Sequence, residues 1–304
     1  MEIIALLSAT LRMATPLIFV AIGEVYSERA GTMNIGLEGL MLIGACAAYT
    51  AVFFTNSLFF GLVCAILVTM VFGLGFAFMA VTVRANQIVI GAALNMIGLG
   101  ASGFVYRTVF SNTGLVRPVQ SVPALPIPYL ADIPFIGPIL FNNNALVYLA
   151  FLLVPIAAFV LNKTSLGLAI RAVGEHPHAV ASVGLPVFGL RYGTIMFGAA
   201  MAGLGGAFLS IAHANQFVEG MTAGRGFIAL TMVPFSAWTI PGIFWGGLLF
   251  GAAFALQLRL QAAKLAVAYQ FLQILPYLLT LLVLVFARNR AKQPKEMCVP
   301  YEAG

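Results

Sequence analysis

LNKTSLGLAIRAVGEHPHAVASVGLPVFGLR, residues Leu161 to Arg191, is a short amphipathic stretch set between long apolar runs. It carries Arg171, Gly174, Glu175 and Pro177 in close order. The chain around it is nearly all apolar: of 304 residues, 62% are hydrophobic and 8% charged, and mean hydropathy is +1.03. A soluble domain carries about a quarter charged residues. This chain cannot cover its surface with polar groups, so part of its solvent must be lipid. The composition implies an all-α fold, a polytopic transmembrane helical bundle. A membrane protein that keeps a structured, charged element in water uses it to touch something.

A helix needs roughly 20 apolar residues to cross the hydrocarbon core. That window places about nine spans, near 3–24, 35–55, 58–82, 88–107, 145–161, 192–212, 226–240, 241–258 and 266–287. The runs are too long and continuous for the alternating strands of a barrel. One transmembrane domain, 1–287, is expected, with the polar segment at 162–191 and a basic tail at 288–304. The tail, holding Arg288, Arg290, Lys292 and Lys295, is too short and polar to fold alone and is expected to fray. The excess of Lys and Arg on the cytoplasmic side puts the tail, Lys163, Arg171, Arg191, Arg84 and Arg29 inside and the N-terminus outside. Arg107, Arg117, Arg225, Arg259 and Lys264 then fall outside, so the rule holds on balance. Between the fourth and fifth spans, 108–144 contains Pro118, Pro123, Pro126, Pro128, Pro134 and Pro138, which favours an ordered, extended external loop. It reads equally as a tether or as a functional element, a cap over a pathway or a docking rim.

Several function classes are excluded. The net charge of +6 belongs to loops and tail rather than to a basic patch interleaved with aromatics, so no nucleic-acid partner is expected. Cys46, Cys64 and Cys298 have no paired spacing. His176, His178 and His213 are the only histidines, and residues two apart on a helix do not face one another, so no metal site is expected. No catalytic or cofactor motif occurs, and no Gly-Lys dipeptide exists to form a phosphate-binding P-loop. The chain cannot hydrolyse ATP through such a loop by itself.

The polar groups inside apolar runs form a candidate pathway set: Asn34, Glu38, Asn86, Asn95, Glu219 and Arg225. A carboxylate in hydrocarbon costs several kcal/mol unless paired or hydrated. For Glu38 the readings are pairing with Arg12, lining of a substrate pathway, or a proton site, in that order. Arg12 itself should face a protein interior or snorkel. Asn95 suits a bond to a neighbouring helix. The stretch EGMTAGRGF, Glu219 to Phe227, holds a charge pair and three glycines, which suits a broken helix lining a cavity. Glu38-Gly39 and Glu219-Gly220 are a faint sign of pseudo-symmetry between halves. Gly198, Gly203, Gly205, Gly206, Gly246, Gly247 and Gly251 make smooth faces for close packing. Within the polar segment, Ser165 is expected to cap a helix that Gly174 ends. Pro177 opens a second helix that Gly184 stops. Val180 and Val183 would share an apolar knob there, making a docking element rather than a connector lying on lipid.

Three stretches, ERAGTMNIGLEGLMLIGA (Glu28–Ala45), LAIRAVGEHPHAVASVGL (Leu168–Leu185) and EGMTAGRGFIALTMV (Glu219–Val233), resemble the membrane permeases of bacterial ABC importers. The branch is the one serving simple sugars and nucleosides. ANQIVIGAALN (Ala85–Asn95) and GGLLFGAAFALQLRLQ (Gly246–Gln261) extend the match over nearly the whole chain. The Glu219 and Leu248–Gln261 blocks look closest to nucleoside permeases. The resemblance implies a type II-like architecture and a cytoplasmic coupling segment that inserts into a separate ATPase subunit, through Arg171, Ala172, Val173, Gly174, Glu175, Pro177 and Gly184. It also implies a second permease subunit (a heterodimer), an external solute-binding lipoprotein, the bacterial cytoplasmic membrane, and alternating access without a covalent step or a cofactor. His176 stands where the family more often has Asn. Ser236-Ala237 precede Trp238 where the family often has a Gly-basic pair, and Pro234 can bend the seventh span. The alternatives are a sugar permease, a proton- or ion-coupled secondary carrier working through Glu38, and a non-transporting scaffold.

Overall fold

The computed structural model describes residues 2–110, 118–263, 274–287 and 293–302. In chain order the helices are α1 (Glu2–Arg29), α2 (Leu37–Thr55), α3 (Leu58–Ala77), α4 (Gln87–Phe110), α5 (Ile136–Leu140), α6 (Ala145–Lys163), α7 (Ser165–Glu175) and α8 (Pro177–Ser182). Then follow α9 (Val187–Ala207), α10 (Arg225–Phe235), α11 (Ile240–Ala262) and α12 (Leu275–Ala287). α3 and α9 each continue into a π turn, Phe78–Thr82 and Phe208–His213.

Local chemistry sets the helix starts. Ser57, Asn144, Thr164 and Thr239 each accept a backbone N–H of the first turn of α3, α6, α7 and α11, which satisfies one of the donors a helix leaves free at its start. The all-α bundle is as expected. Strand is confined, among the described residues, to β1 (Ala124–Pro126) and β2 (Asn142–Asn144), an antiparallel pair inside the Pro-rich connection. The described part of that connection, 118–144, is extended only in part, since turns and the short α5 follow β1; residues 111–117, Arg117 among them, lie outside the described residues.

Burial sorts the helices into layers. The most apolar windows of the α9, α2 and α1 spans are 83%, 72% and 61% buried, against 28% for α3, α4 and α6. α1, α2 and α9 therefore form an inner layer, and the others expose apolar flanks to the surrounding medium. Small residues let the inner helices touch. A Cβ added to Gly23 would stand 2.8 Å from Gly198 Cα, one added to Gly44 2.6 Å from Gly203 Cα, and one on Gly206 would meet Met41 O. Gly247 and Gly251 likewise admit Ile18 and the Thr10 carbonyl of α1. This is close helix packing by small residues.

The span count needs correction. Seven helices among the described residues are long and apolar enough to cross a membrane. The expected seventh span, 226–240, is instead the eleven-residue α10, about half a crossing. Pro234, followed by Ala237 and Trp238 in left-handed conformation, ends that helix early. The expected ninth span is described only from residue 274 onward, and Lys264, Arg288, Arg290 and Lys292 lie outside the described residues. The expected fraying of the tail is also wrong for 293–302, which packs against the bundle. Ser8 Oγ donates to Pro138 O at one end, whereas Glu302 pairs with Arg84 at the other, 3.1 Å apart. The N-terminal part of α1 and the tail, which bonds to Gly31 just past the other end of α1, thus lie at opposite ends.

Candidate functional site

Two interrupted helices meet at one carboxylate. α1 ends at Arg29 and α2 begins at Leu37, so Ala30 to Gly36 is an irregular link. α10 begins at Arg225 after the irregular Ala214–Gly224. Glu38, in the first turn of α2, turns its side chain toward the start of α10. Its Oε1 accepts from Thr222 Oγ1 at 2.5 Å and from Gly224 N at 2.7 Å, and its Oε2 accepts from Gly226 N at 2.7 Å. Free N–H groups and aligned peptide dipoles make a helix N-terminus attract an anion. Here the N-termini of α2 and α10 share one. The approach is tight enough that a Cβ on Gly226 would lie 2.5 Å from Glu38 N. Glu38 therefore does not pair with Arg12, which is exposed and whose Nε donates to Ser8 O at 3.4 Å. Placing irregular backbone at this depth is tolerated because side chains satisfy it.

The depth follows from α4. Asn95, midway along it, accepts from Gly39 N at 2.8 Å and donates to Ile35 O at 2.9 Å, pinning both sides of the α2 start. Asn34 is buried; its N donates to Glu24 Oε1 at 2.7 Å and its Oδ1 accepts from Gly36 N at 2.8 Å. These two asparagines hold the break in place. Arg225, at the first position of α10, folds back to Met221 O and Thr222 O and lies 4.8 Å over the Phe254 ring. The broken helix expected at Glu219–Phe227 is thus present, and the Glu28–Ala45 and Glu219–Val233 stretches meet at it.

Sequence reasoning missed two acids on α1. Glu24 and Glu28 are both buried, one helical turn apart. Glu28 Oε2 accepts from Trp238 Nε1 at 2.5 Å, which ties the end of α1 to the turn after α10. Arg29 Nε donates to Trp238 O at 3.1 Å across the same junction. The missed signal was two carboxylates four residues apart at the close of an apolar run. Replacing Trp238 with Phe removes the indole donor that faces Glu28. Orphaning a buried acceptor costs about 1–3 kcal/mol, so thermal unfolding in detergent should fall by several degrees. An unchanged midpoint would show that the contact carries no weight.

The polar segment forms two short helices, with residue roles that differ from expectation. Thr164, not Ser165, caps α7: its Oγ1 accepts from Gly167 N at 3.1 Å. Gly174 lies inside α7 rather than ending it, because the helix needs a bare backbone there: a Cβ would sit 3.0 Å from Arg29 C and closer still to Arg29 O. Pro177 opens α8, and Gly184 stops it at φ +81°. Val173, Gly174 and Pro177 are buried within the chain, Arg171, Ala172 and Glu175 are half-buried, and Gly184 is exposed. Val180 is buried and Val183 is 72% exposed, so they do not form one knob. The free face is a groove of about 590 Å³ lined by Leu168, Ala172, Glu175, His176, Val183 and Leu185 among others.

The remaining pathway candidates are elsewhere. Asn86 is exposed and caps α4, accepting from Ile88 N and Val89 N at 2.9 and 3.3 Å. Glu219 forms an exposed fork with Arg107, Oε1 to Nε at 2.8 Å and Oε2 to Nη2 at 2.6 Å. The six residues are therefore not one site. Hydrogen bonding from Arg107 holds the Glu219 carboxyl below its ordinary value. A depressed carboxyl pKa means the bridge is intact above the ordinary value and opens only as pH falls through the lowered one. Protease cutting of the 214–224 segment in vesicles should be flat from pH 7 to about pH 5 and rise below about pH 4. Glu219→Gln should cut alike throughout.

Comparison with known proteins bears on this arrangement. The family model described as branched-chain amino acid transport system / permease component matches residues 6–287. A guanosine ABC transporter permease of Bacillus subtilis is 38% identical, covering 100% of this chain and 99% of its own length. A putative glucose ABC transporter permease of Haloferax volcanii is 35% identical over 97% and 94%, respectively. A nucleoside ABC transporter permease of Lactococcus lactis is 33% identical over 95% and 93%. No solved structure matches the chain.

Proposed function

Because the chain belongs to the branched-chain amino acid transport system / permease component family, we propose that it is the pore-forming subunit of an ATP-driven importer for nucleosides or related purines. At the coarser level it is a multi-pass membrane protein and an ABC transporter permease for nucleosides or sugars, a transport subunit rather than an enzyme. In this proposal an external binding protein delivers the solute, and a second permease completes the pore. A separate ATPase docks on α7–α8, at the cytoplasmic end of the bundle. The sugar reading stands second, on the strength of the Haloferax volcanii relative.

The single observation that carries the mechanism is contiguity. Gly174 of the docking helix rests on the Arg29 carbonyl, and α1 leads through Ala30–Gly36 to Glu38, which holds the start of α10. A push on α7 therefore reaches the break between two half-buried helix starts without crossing a flexible connection. The test is reconstitution of this chain with an ATPase subunit, a second permease and a binding protein from the same organism. ATP-dependent uptake of a nucleoside, absent without ATP, is the expected result. Uptake of glucose alone would transfer the proposal to sugars, and gradient-driven uptake by this chain alone would replace it with a secondary carrier. Glu175→Lys, beside the exposed groove, should leave the fold intact but lower uptake about tenfold by placing a like charge near Arg171 and Arg29. Equal uptake would remove Glu175 from the dock.

A further inference from the structure

The tail carries more than charge. Residues 293–302 lie across the face of the bundle on which α7 and α8 sit, and their contacts go to five separate elements. Glu296 N donates to Gly174 O at 2.9 Å, and Cys298 N donates to Gly31 O at 3.0 Å. Arg191 of α9, 1% exposed, donates from Nε to Ala30 O at 3.2 Å and from Nη1 to Val299 O at 2.9 Å. The Tyr301 ring is buried in a cluster with Val173, Val180 and Val187, with its centroid 5.1 Å from His178 and 5.5 Å from Phe188. Glu302 closes the run on Arg84, beyond the π turn after α3.

A polar segment of this length gains nothing from ordering itself, since fixing each residue costs about 1–2 kcal/mol of conformational entropy. Its order comes from the surfaces it joins. Those surfaces are the docking helices, the α1–α2 link and the start of α9. Without the tail, α7 would keep its packing on α6, α9 and α1 through Gly167, Ile170 and Gly174, but the backbone bond that ties Gly174 to the segment lying on Gly31, and the ring that covers Val173 and Val180, would be gone. Arg191 would lose one of its two backbone acceptors, and a buried cation left short of acceptors would reorganise its surroundings. We propose that residues 293–302 are a strap that stiffens the dock against the α1–α2 link, so that displacement of α7 is delivered to Glu38 and α10 instead of being lost as local rocking. Tyr301 and Arg191 are its positioning residues. The strap rests on the permease reading above and adds an element that reading does not require.

The test uses the complete transporter in proteoliposomes and reads solute taken up per ATP hydrolysed, together with assembly measured by size exclusion. Three forms are compared with the parent: Tyr301→Ala, a chain ending at Gln293, and Tyr301→Phe, which keeps the ring. The alanine and shortened forms should assemble and hydrolyse ATP while uptake per ATP falls about tenfold, the scale on which single members of a coupling network act. Tyr301→Phe should restore the ratio to within about twofold, since the ring and not the hydroxyl packs against Val173 and Val180. An unchanged ratio in the alanine or shortened form overturns the strap. So does a phenylalanine form as poor as alanine, or failure of the shortened chain to assemble, because the proposal needs a folded dock that has lost only stiffness. A parent complex with no ATP-dependent uptake would instead fail the permease reading, so the two failures are distinct.

Discussion

Glu38→Ala is expected to abolish transport, lowering uptake by about a hundredfold or more, a loss equivalent to about 2.7 kcal/mol. The alanine leaves Thr222 Oγ1, Gly224 N and Gly226 N without their acceptor. Each buried donor so orphaned costs about 1–3 kcal/mol, and at membrane depth water is a poor substitute. The start of α10 would shift to find other acceptors, and with it Arg225 and the loop before it. Glu38→Gln separates two mechanisms. Glutamine can keep one carbonyl oxygen facing Thr222 and Gly224 while its amide opposes the Gly226 N–H, so partial uptake, about a tenth of the parent, is expected. A carboxylate whose task is to carry a proton would tolerate Gln no better than Ala. Uptake in the two variants, read beside the melting temperature in detergent, decides between an anion that holds two helix starts and one that titrates. Parental uptake in Glu38→Ala would end the first account.

The spans were legible because hydrocarbon demands long apolar runs, and seven of the expected nine correspond to long helices. Of the other two, the ninth is described only from residue 274, and the seventh is instructive. Gly226 to Ile240 is apolar enough to be read as a crossing, yet the helix stops at Phe235. Hydropathy cannot register that the helix is short and that irregular backbone, 214–224, leads into it, because such backbone can also be buried when a distant acceptor waits. That acceptor, Glu38, was visible only as an expensive charge of unknown partner. The two short helices of the polar segment were legible from its charge, Pro177 and Gly184, but which of its residues face outward was not. Val173 and Val180 turn inward because Tyr301, over a hundred residues later, covers them. The tail itself looked unstructured since three of its links run through backbone groups, Glu296 N, Cys298 N and Val299 O, which every sequence possesses, and the partners of Tyr301 and Glu302 are distant in sequence. Glu24 and Glu28 went unnoticed for a related reason. Their partners, Asn34 N and Trp238 Nε1, are placed by the fold and not by spacing.

Gly174 and Gly184 look alike in sequence, each following a short amphipathic run, and their substitutions should differ sharply. Gly184 has φ +81° and open space around its Cα. Alanine there meets only left-handed backbone strain, about 1–2 kcal/mol, and should lower the melting temperature while leaving uptake per ATP unchanged. Gly174 has helical backbone but no room, since its Cβ would press on Arg29 O. That carbonyl cannot retreat, for Arg29 is followed by Ala30 and Gly31, whose carbonyls are held by Arg191 and Cys298. Valine at 174 must therefore push α7 away from α1, an overpacking that costs about 1–3 kcal/mol and breaks the contact through which the dock leans on the spans. We expect Gly174→Val to keep the ATPase subunit bound and hydrolysing while uptake falls about a hundredfold, with Gly174→Ala between it and the parent. The discriminating quantity is the ratio of uptake to ATP hydrolysis in the assembled complex. If Gly184→Ala and Gly174→Val lower it equally, the glycines are both turn formers and the α7–α1 contact transmits nothing. If only Gly174 variants do, the bare backbone at that one position is where force from the docking helices enters the membrane.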